Sequence, residues 1–185
     1  MRRAGRIPVL VLVLVWGCTA PALVGAAKAV PSAGGSTRAT ARPVGSAGAE
    51  VRDLLDRINR RRAAIGCGPV VWDERLADVA RRHSVDMARR GFFSHTNPDG
   101  RDPFDPLRRA GVRFRAAAEN LASGQRTGSE TFASWMGSAG HRHNLDECLY
   151  TRIGIGLHQG RWTCVLARLP EDGPGQLQDP RREGR

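Results

Sequence analysis

Arg152-Ile153-Gly154-Ile155-Gly156-Leu157-His158-Gln159-Gly160-Arg161-Trp162-Thr163-Cys164-Val165-Leu166-Ala167-Arg168 is the stretch whose reading decides the architecture. Ile153, Ile155 and Leu157 alternate in the way a half-buried strand requires. A second strand is expected over 162–168, and His158-Gln159-Gly160-Arg161 joins the two as a turn. Upstream of this hairpin the apolar period is helical. Val51, Leu54, Leu55, Ile58 and Ile65 recur at helical spacing from about 50 to 65, and Gly66 follows as a stop. Leu76, Val79, Ala80, His83 and Met87 share one face of a second helix over about 73–90, ended by Gly91, with Asp73 and Glu74 at its electropositive start. Shorter helices are expected over 102–110, closed by Gly111, and over 127–137, capped by Thr127 or Ser129. Ala116 to Ala122 fits strand or helix by pattern. Helices through the first two thirds and a hairpin at the end make an α+β fold rather than a βαβ repeat.

The flanks differ from this middle. Arg2, Arg3 and Arg6 precede an apolar run from Ile7 to Trp16, and Ala27-Lys28-Ala29 follows, the three parts of a secretory signal over residues 1–29. Val15-Trp16-Gly17-Cys18 loosely resembles a lipoprotein processing site, so membrane attachment is expected only if Cys18 is lipidated. Residues 30–49 have the composition of a flexible linker, and residues 169–185 that of a disordered tail. Residues 50–168 are left as one domain with its own core. The chain carries 29 basic and 18 acidic residues, a formal net charge of +11, but only +6 of that falls on residues 50–168. The run Arg60-Arg61-Arg62 reads as a solvated face, and the charge argues for no specific nucleic acid.

Five histidines offer few places for chemistry. His83 lies between apolar neighbours at helical spacing and reads as a core-face histidine with a satisfied hydrogen bond. His95 instead lies on a loop, between Phe92-Phe93 and the turn residues Asn97-Pro98-Asp99-Gly100. Glu119 is set among small apolar residues, where a carboxylate is costly to bury without a partner. In Gly140-His141-Arg142-His143-Asn144 the pair His143-Asn144 invites comparison with an HNH nuclease, but that motif spreads its histidines over a hairpin and a helix. Asn144 reads better as tying down the loop after His141.

Phe92–Gly100 (FFSHTNPDG), Ala118–Gln125 (AENLASGQ), Thr131–Leu145 (TFASWMGSAGHRHNL) and Thr151–Ala167 (TRIGIG…GRWTCVLA) fall in the order seen in bacterial members of the CAP superfamily of cysteine-rich secretory, antigen 5 and pathogenesis-related proteins, also called SCP-like. The resemblance covers about residues 52–168 and implies an α-β-α sandwich with a small antiparallel sheet between helical layers. It also implies a cleft, in which His95, Glu119 and His141 match family positions. The family's second acidic position falls near Ser138, where this chain departs from the pattern. Two imidazoles and one carboxylate suit either a zinc-like cation or a metal-free hydrogen-bonded cluster, and the spacing 95, 119, 141 lacks the short ligand pairs of a structural zinc site.

Beyond Cys18, the cysteines are Cys67, Cys148 and Cys164, and an exported protein is expected to pair two of them. The resemblance implies Cys67–Cys148, with Cys148–Cys164 as the alternative and Cys164 otherwise a buried free thiol. The functional expectation is a secreted, non-catalytic binding module for a lipid, a sterol or an envelope ligand, requiring no cofactor. Two alternatives stand beside it. One is a metal-assisted peptidase or esterase using His95, Glu119 and His141. The other is electrostatic attachment to cell-wall polymers or anionic lipids. The sequence carries no signal for an oligomeric state.

Overall fold

A computed structural model of the protein describes residues 47–109 and 111–172. The signal, Cys18, most of the linker and the tail from residue 173 lie outside the described residues. The elements follow in the order α1 (Ala47–Ala64), β1 (Val71–Trp72), α2 (Glu74–Arg90), α3 (Asp105–Arg109), β2 (Ala116–Ser123), α4 (Gly128–Gly137), α5 (Ala139–Asp146), β3 (Arg152–His158) and β4 (Arg161–Arg168). The strands form one sheet in the order β1-β3-β4-β2. The β3–β4 hairpin is as expected, and AAAENLA is resolved as a strand, antiparallel to β4 with Glu119 opposite Val165. The expected antiparallel sheet gains one short parallel strand, since Val71 and Trp72 of β1 run alongside Arg152 and Ile153 of β3.

Strand alternation divides the core in two. Leu54 and Ile58 of α1, Trp135 of α4 and Leu145 of α5 pack with Ile153, Ile155, Trp162, Cys164 and Leu166 on one side of the sheet. Leu76, Val79 and Ala80 of α2, with Phe104 and Leu107 around α3, pack with Ala117, Val165 and Ala167 on the other. The helical layers cross their neighbours at glycines. A Cβ on Gly154 would overlap the backbone of Leu76 and Ala77, and one on Gly156 the backbone of Ala80 and Arg81. Helix α2 therefore lies directly on the β3 backbone, and the Ser84 hydroxyl fixes it to Thr163 of β4 at 2.9 Å. In the other layer Gly128 plays the same part for α4, where a Cβ would meet the backbone of Glu50 and Leu54 in α1.

Capping explains where the helices begin. Asp73 accepts from the backbone N–H groups of Arg75 and Leu76 at the start of α2, and Thr127 accepts from Glu130 at the start of α4. Gly91 closes α2 in the left-handed conformation, φ 69°. The helix expected over 102–110 shrinks to Asp105–Arg109, because Asp102 turns its carboxylate onto the N–H groups of Phe104 and Asp105 and starts the helix late. Helix α1 starts at Ala47, inside the expected linker, and ends at Ala64, which leaves Ile65 exposed. At the other end the packed chain continues past residue 168. Asp172 accepts from the Thr151 hydroxyl at 2.6 Å and from Arg152 Nε at 2.8 Å, and it lies well below the usual carboxylate range, at about 2, because those bonds outweigh its burial.

The largest correction concerns the arginine run. Arg62 is 1% exposed, not solvated. Its guanidinium donates to the carbonyls of Gly68 at 2.9 Å, Leu145 at 3.0 Å, Glu147 at 2.9 Å and Tyr150 at 2.8 Å, while burial pushes its pKa down. Arg61 beside it makes a bidentate pair with Asp146, at 2.9 and 2.7 Å. Cys67 and Cys148 are joined by a disulfide across the same region, as the resemblance implied, and Cys164 is the buried free cysteine.

Gly156→Ala should lower unfolding stability in urea by about 3 kcal/mol through overpacking against α2. Gly137→Ala, whose Cβ meets nothing within 4 Å, should be neutral or slightly stabilising. Arg62→Met should cost about 3–5 kcal/mol by leaving buried carbonyls without donors, and Arg62→Lys should recover only part of it because an ammonium lacks the planar fork.

Candidate functional site

The site forms at the free edge of the sheet, on strand β2. Glu119 pairs across with Val165, whose side chain belongs to the α2-side core, so the carboxylate points toward α2. Its side chain is 2% exposed. Among the described residues, the group that meets it arrives on the loop that leaves α2. After Gly91 the chain reverses, and His83 Nε2–H donates to the Ser94 carbonyl at 2.9 Å. That carbonyl can only accept, which assigns the proton to Nε2. The expected core-face histidine with a satisfied bond is thus also the post that holds the loop. Asn97 accepts from the N–H groups of Asp99 and Arg101, each at 3.0 Å, and so shapes the turn beyond. Between these two ties His95 places Nδ1 2.7 Å from Glu119 Oε1.

Burial pushes the Glu119 carboxyl up from its ordinary value, and the hydrogen bond from His95 opposes that shift. Glu119 Oε2 is also buried, and it has no hydrogen-bond partner among the described residues. An orphaned buried carboxylate oxygen is costly and needs a donor. His95 keeps 27% of its side chain exposed, so the pair opens to solvent through its imidazole.

His141 approaches by a different route. Asn120 points to the opposite face of β2 from Glu119, and its Nδ2 donates to the His141 carbonyl at 2.9 Å. Asn144 Nδ2 in turn donates to Asn120 Oδ1 at 2.9 Å, so Asn144 makes the expected tie, but the segment it holds to the strand is helix α5 and not a loop. His141 is half-buried, and burial together with the charge of His95 pushes its pKa down, favouring the neutral ring. The structure brings His95 and Glu119 into contact and sets His141 within electrostatic range of His95. Asn120 is the member that the sequence reading passed over. It is fully buried, and its place beside Glu119 in a strand of small residues was the available signal.

The remaining candidates stand apart. His143 is exposed on α5. Ser138, at the position where the resemblance expects a second acid, links α4 to α5 without a side-chain capping bond. Cys164 is 0% exposed, and burial and the negative charge of Glu119 push its thiol up, away from nucleophilic use. Among the described residues no group of three or more His, Cys, Asp or Glu is disposed to hold a metal ion. Nδ1 of His95 is engaged by Glu119 Oε1.

The sequence pattern of the Cysteine-rich secretory protein family, CAP, matches residues 55–166. The Bacillus subtilis (strain 168) protein YkwD is 34% identical over 130 residues, covering 70% of this chain and 51% of its own length. An extracellular SCP-domain protein of Bacillus anthracis (strain Ames) is 33% identical with a TM-score of 0.61, covering 63% of this chain and 39% of that one. An outer surface protein of Borrelia burgdorferi, at 18% identity and TM-score 0.60, shares the fold over 65% of this chain and 93% of its own. The chain thus spans about half of YkwD and less of the Bacillus anthracis protein. The family match extends over more than half of the residues, and this chain belongs to the cysteine-rich secretory protein (CAP) family.

Proposed function

We propose that this chain is an exported binding module whose ligand is recognised at the His95–Glu119 cleft, with His141 at its margin. The observation that carries the reading is the His95–Glu119 pair, in which a buried carboxylate holds an imidazole that keeps 27% of its side chain exposed. A ligand with a hydroxyl or carbonyl group would meet the pair from the solvent side, by bonding to the exposed imidazole of His95. Envelope components with hydroxyl groups, glycans or lipid and sterol headgroups, have the required chemistry. The basic, apolar and small-residue parts of the leader support export. So do the similar proteins described as extracellular and outer-surface.

The pair is better suited to binding than to hydrolysis. A hydrolase needs a nucleophile or an activated water near its base. The thiol of Cys164 is buried, and a second carboxylate is missing at Ser138. The net +6 of residues 50–168 adds a general attraction to anionic surfaces, which salt should screen.

Binding of the purified chain to solubilised cell-wall glycan, to phosphatidylglycerol vesicles and to sterol-containing vesicles tests this reading. At least one should bind at physiological salt, and Glu119→Gln and His95→Ala should each weaken it by about tenfold or more. Binding unchanged in both variants, or lost entirely on raising salt, contradicts it.

The pH dependence has a definite sign. Because the folded carboxyl of Glu119 titrates above its ordinary value, the stability linked to its neutral form is present in full at low pH. That stability is lost as pH rises through the raised value. Glu119→Gln should therefore lose less stability than wild type between mildly acidic and mildly alkaline pH in urea titrations. Parallel curves for the two proteins would contradict the burial argument.

A further inference from the structure

We infer that Phe93 and Arg161, at the end of the sheet beside the His95 loop, form a subsite for a glycan that carries carboxylates. The inference rests on the cleft reading for the ligand's second contact, at His95, and it names the class of ligand.

Two phenylalanines precede His95, and the structure uses them differently. Phe92 packs on His83, edge to face, with ring centroids 5.8 Å apart. Phe93 belongs to neither core cluster and keeps 52% of its surface exposed. An exposed ring by itself is ordinary. This one stands on a fixed backbone, because His83 holds the carbonyl of the next residue, Ser94. It also has a cation beside it. Arg161 Cζ lies 5.9 Å from the ring centroid, and Arg161 Nη1 donates to the Ser123 hydroxyl. No carboxylate pairs with Arg161 among the described residues. A half-buried guanidinium with donors to spare and no counter-ion suits a carboxylate, which its planar fork meets with two bonds.

Strand register joins this corner to the cleft. Ser123 of β2 is paired with Arg161, and Glu119 lies four residues earlier on the same strand. Paired residues share a face of the sheet, as do residues an even number apart, so all three face α2. Four residues of strand separate Ser123 from Glu119 by about 13 Å. The loop from Phe93 to His95 spans that face, with Phe93 at the Arg161 end and His95 at the Glu119 end.

These features select the occupant. The open part of the Phe93 ring is flat and apolar, with negative π density. A pyranose offers it a patch of axial C–H groups, apolar and slightly positive. Hydroxyls at the sugar's rim stay in water or reach the His95 imidazole, and a carboxylate on the same or the adjoining sugar meets Arg161. An acyl chain would cover the ring and leave the guanidinium without its anion. A peptide carboxylate would meet Arg161 but brings no flat C–H face to the ring.

The test titrates the purified chain, at physiological salt, with the disaccharide N-acetylglucosaminyl-N-acetylmuramic acid, whose lactyl ether carries a carboxylate. The comparison sugar is chitobiose, which lacks that ether. By NMR titration the acidic disaccharide should bind with a Kd of about 1 mM or below, and chitobiose about tenfold or more weakly. Saturating the Phe93 ring protons should transfer to the sugar C–H protons. Phe93→Ala should weaken both sugars by about tenfold. Arg161→Gln should weaken the acidic one by about tenfold and leave chitobiose unchanged, and Arg161→Lys should recover part of the loss. Absence of binding, equal binding of the two sugars, or no transfer from Phe93 would overturn the inference. An acetylated glutamate tripeptide that binds as tightly, with the same loss in Arg161→Gln, would assign the site to peptides and overturn it too. Binding that Phe93→Ala and Arg161→Gln leave intact while His95→Ala abolishes it overturns the subsite and leaves the cleft reading standing. Binding lost in the first two and untouched by His95→Ala upholds the subsite and contradicts the cleft reading.

Discussion

Helix α2 rests on strand β3 with backbone against backbone, and the rest of the structure depends on that approach. It is available only because Gly154 and Gly156 present no side chain where Ala77 and Ala80 pass. With the helix at this depth, Ser84 reaches Thr163 and Gly91 ends the helix beside the sheet's far strands. The loop that follows is then within reach of His83, and His83 holds Ser94 so that His95 meets Glu119. The site is a consequence of layer spacing as much as of its own residues. A helix held farther from the sheet by a methyl group would carry His83, and with it the loop, away from the carboxylate.

The opposite layer is held by a different device. Arg62 gathers four carbonyls from the connections around α1 and α5, and the Cys67–Cys148 disulfide closes the same region. A bridge over a sequence separation of 81 constrains the unfolded chain and contributes about 4 kcal/mol on the chain-entropy model. Arginine suits the task because its planar fork meets several carbonyls at once. This firm layer carries α5, and Asn144 and Asn120 transmit its position to β2, so both faces of the edge strand are anchored where Glu119 emerges.

Much of this was legible in the sequence, for identifiable reasons. The hairpin, α2 with its acidic start at Asp73 and Glu74, and a cap at Thr127, one of the two residues offered, follow from local patterns that no tertiary contact overrides. His95 and Glu119 stood out because a loop histidine and a carboxylate among alanines both need explaining. Arg62 was misread since its neighbours Arg60 and Arg61 make a charge run, and only the chain's return through Leu145 to Tyr150 shows why one guanidinium goes inside. Strand β1 has two residues, too few for any period. Asn120 was hidden because its bonds run to residues more than twenty positions away. The alternation Ile-Gly-Ile-Gly marked a strand, yet glycines inside a strand also mark close backbone approach, and that second meaning carries the architecture.

The central claim is that helix–sheet contact builds a fixed His95–Glu119 pair at the edge of the fold. NMR of the imidazole-labelled chain tests it most directly, by searching for the proton shared between His95 and Glu119. The account predicts a far-downfield resonance protected from solvent exchange, lost in Glu119→Ala and lost or broadened in Gly156→Ala. A wild-type His95 ring that shows no such proton and rotates freely in solvent would contradict it.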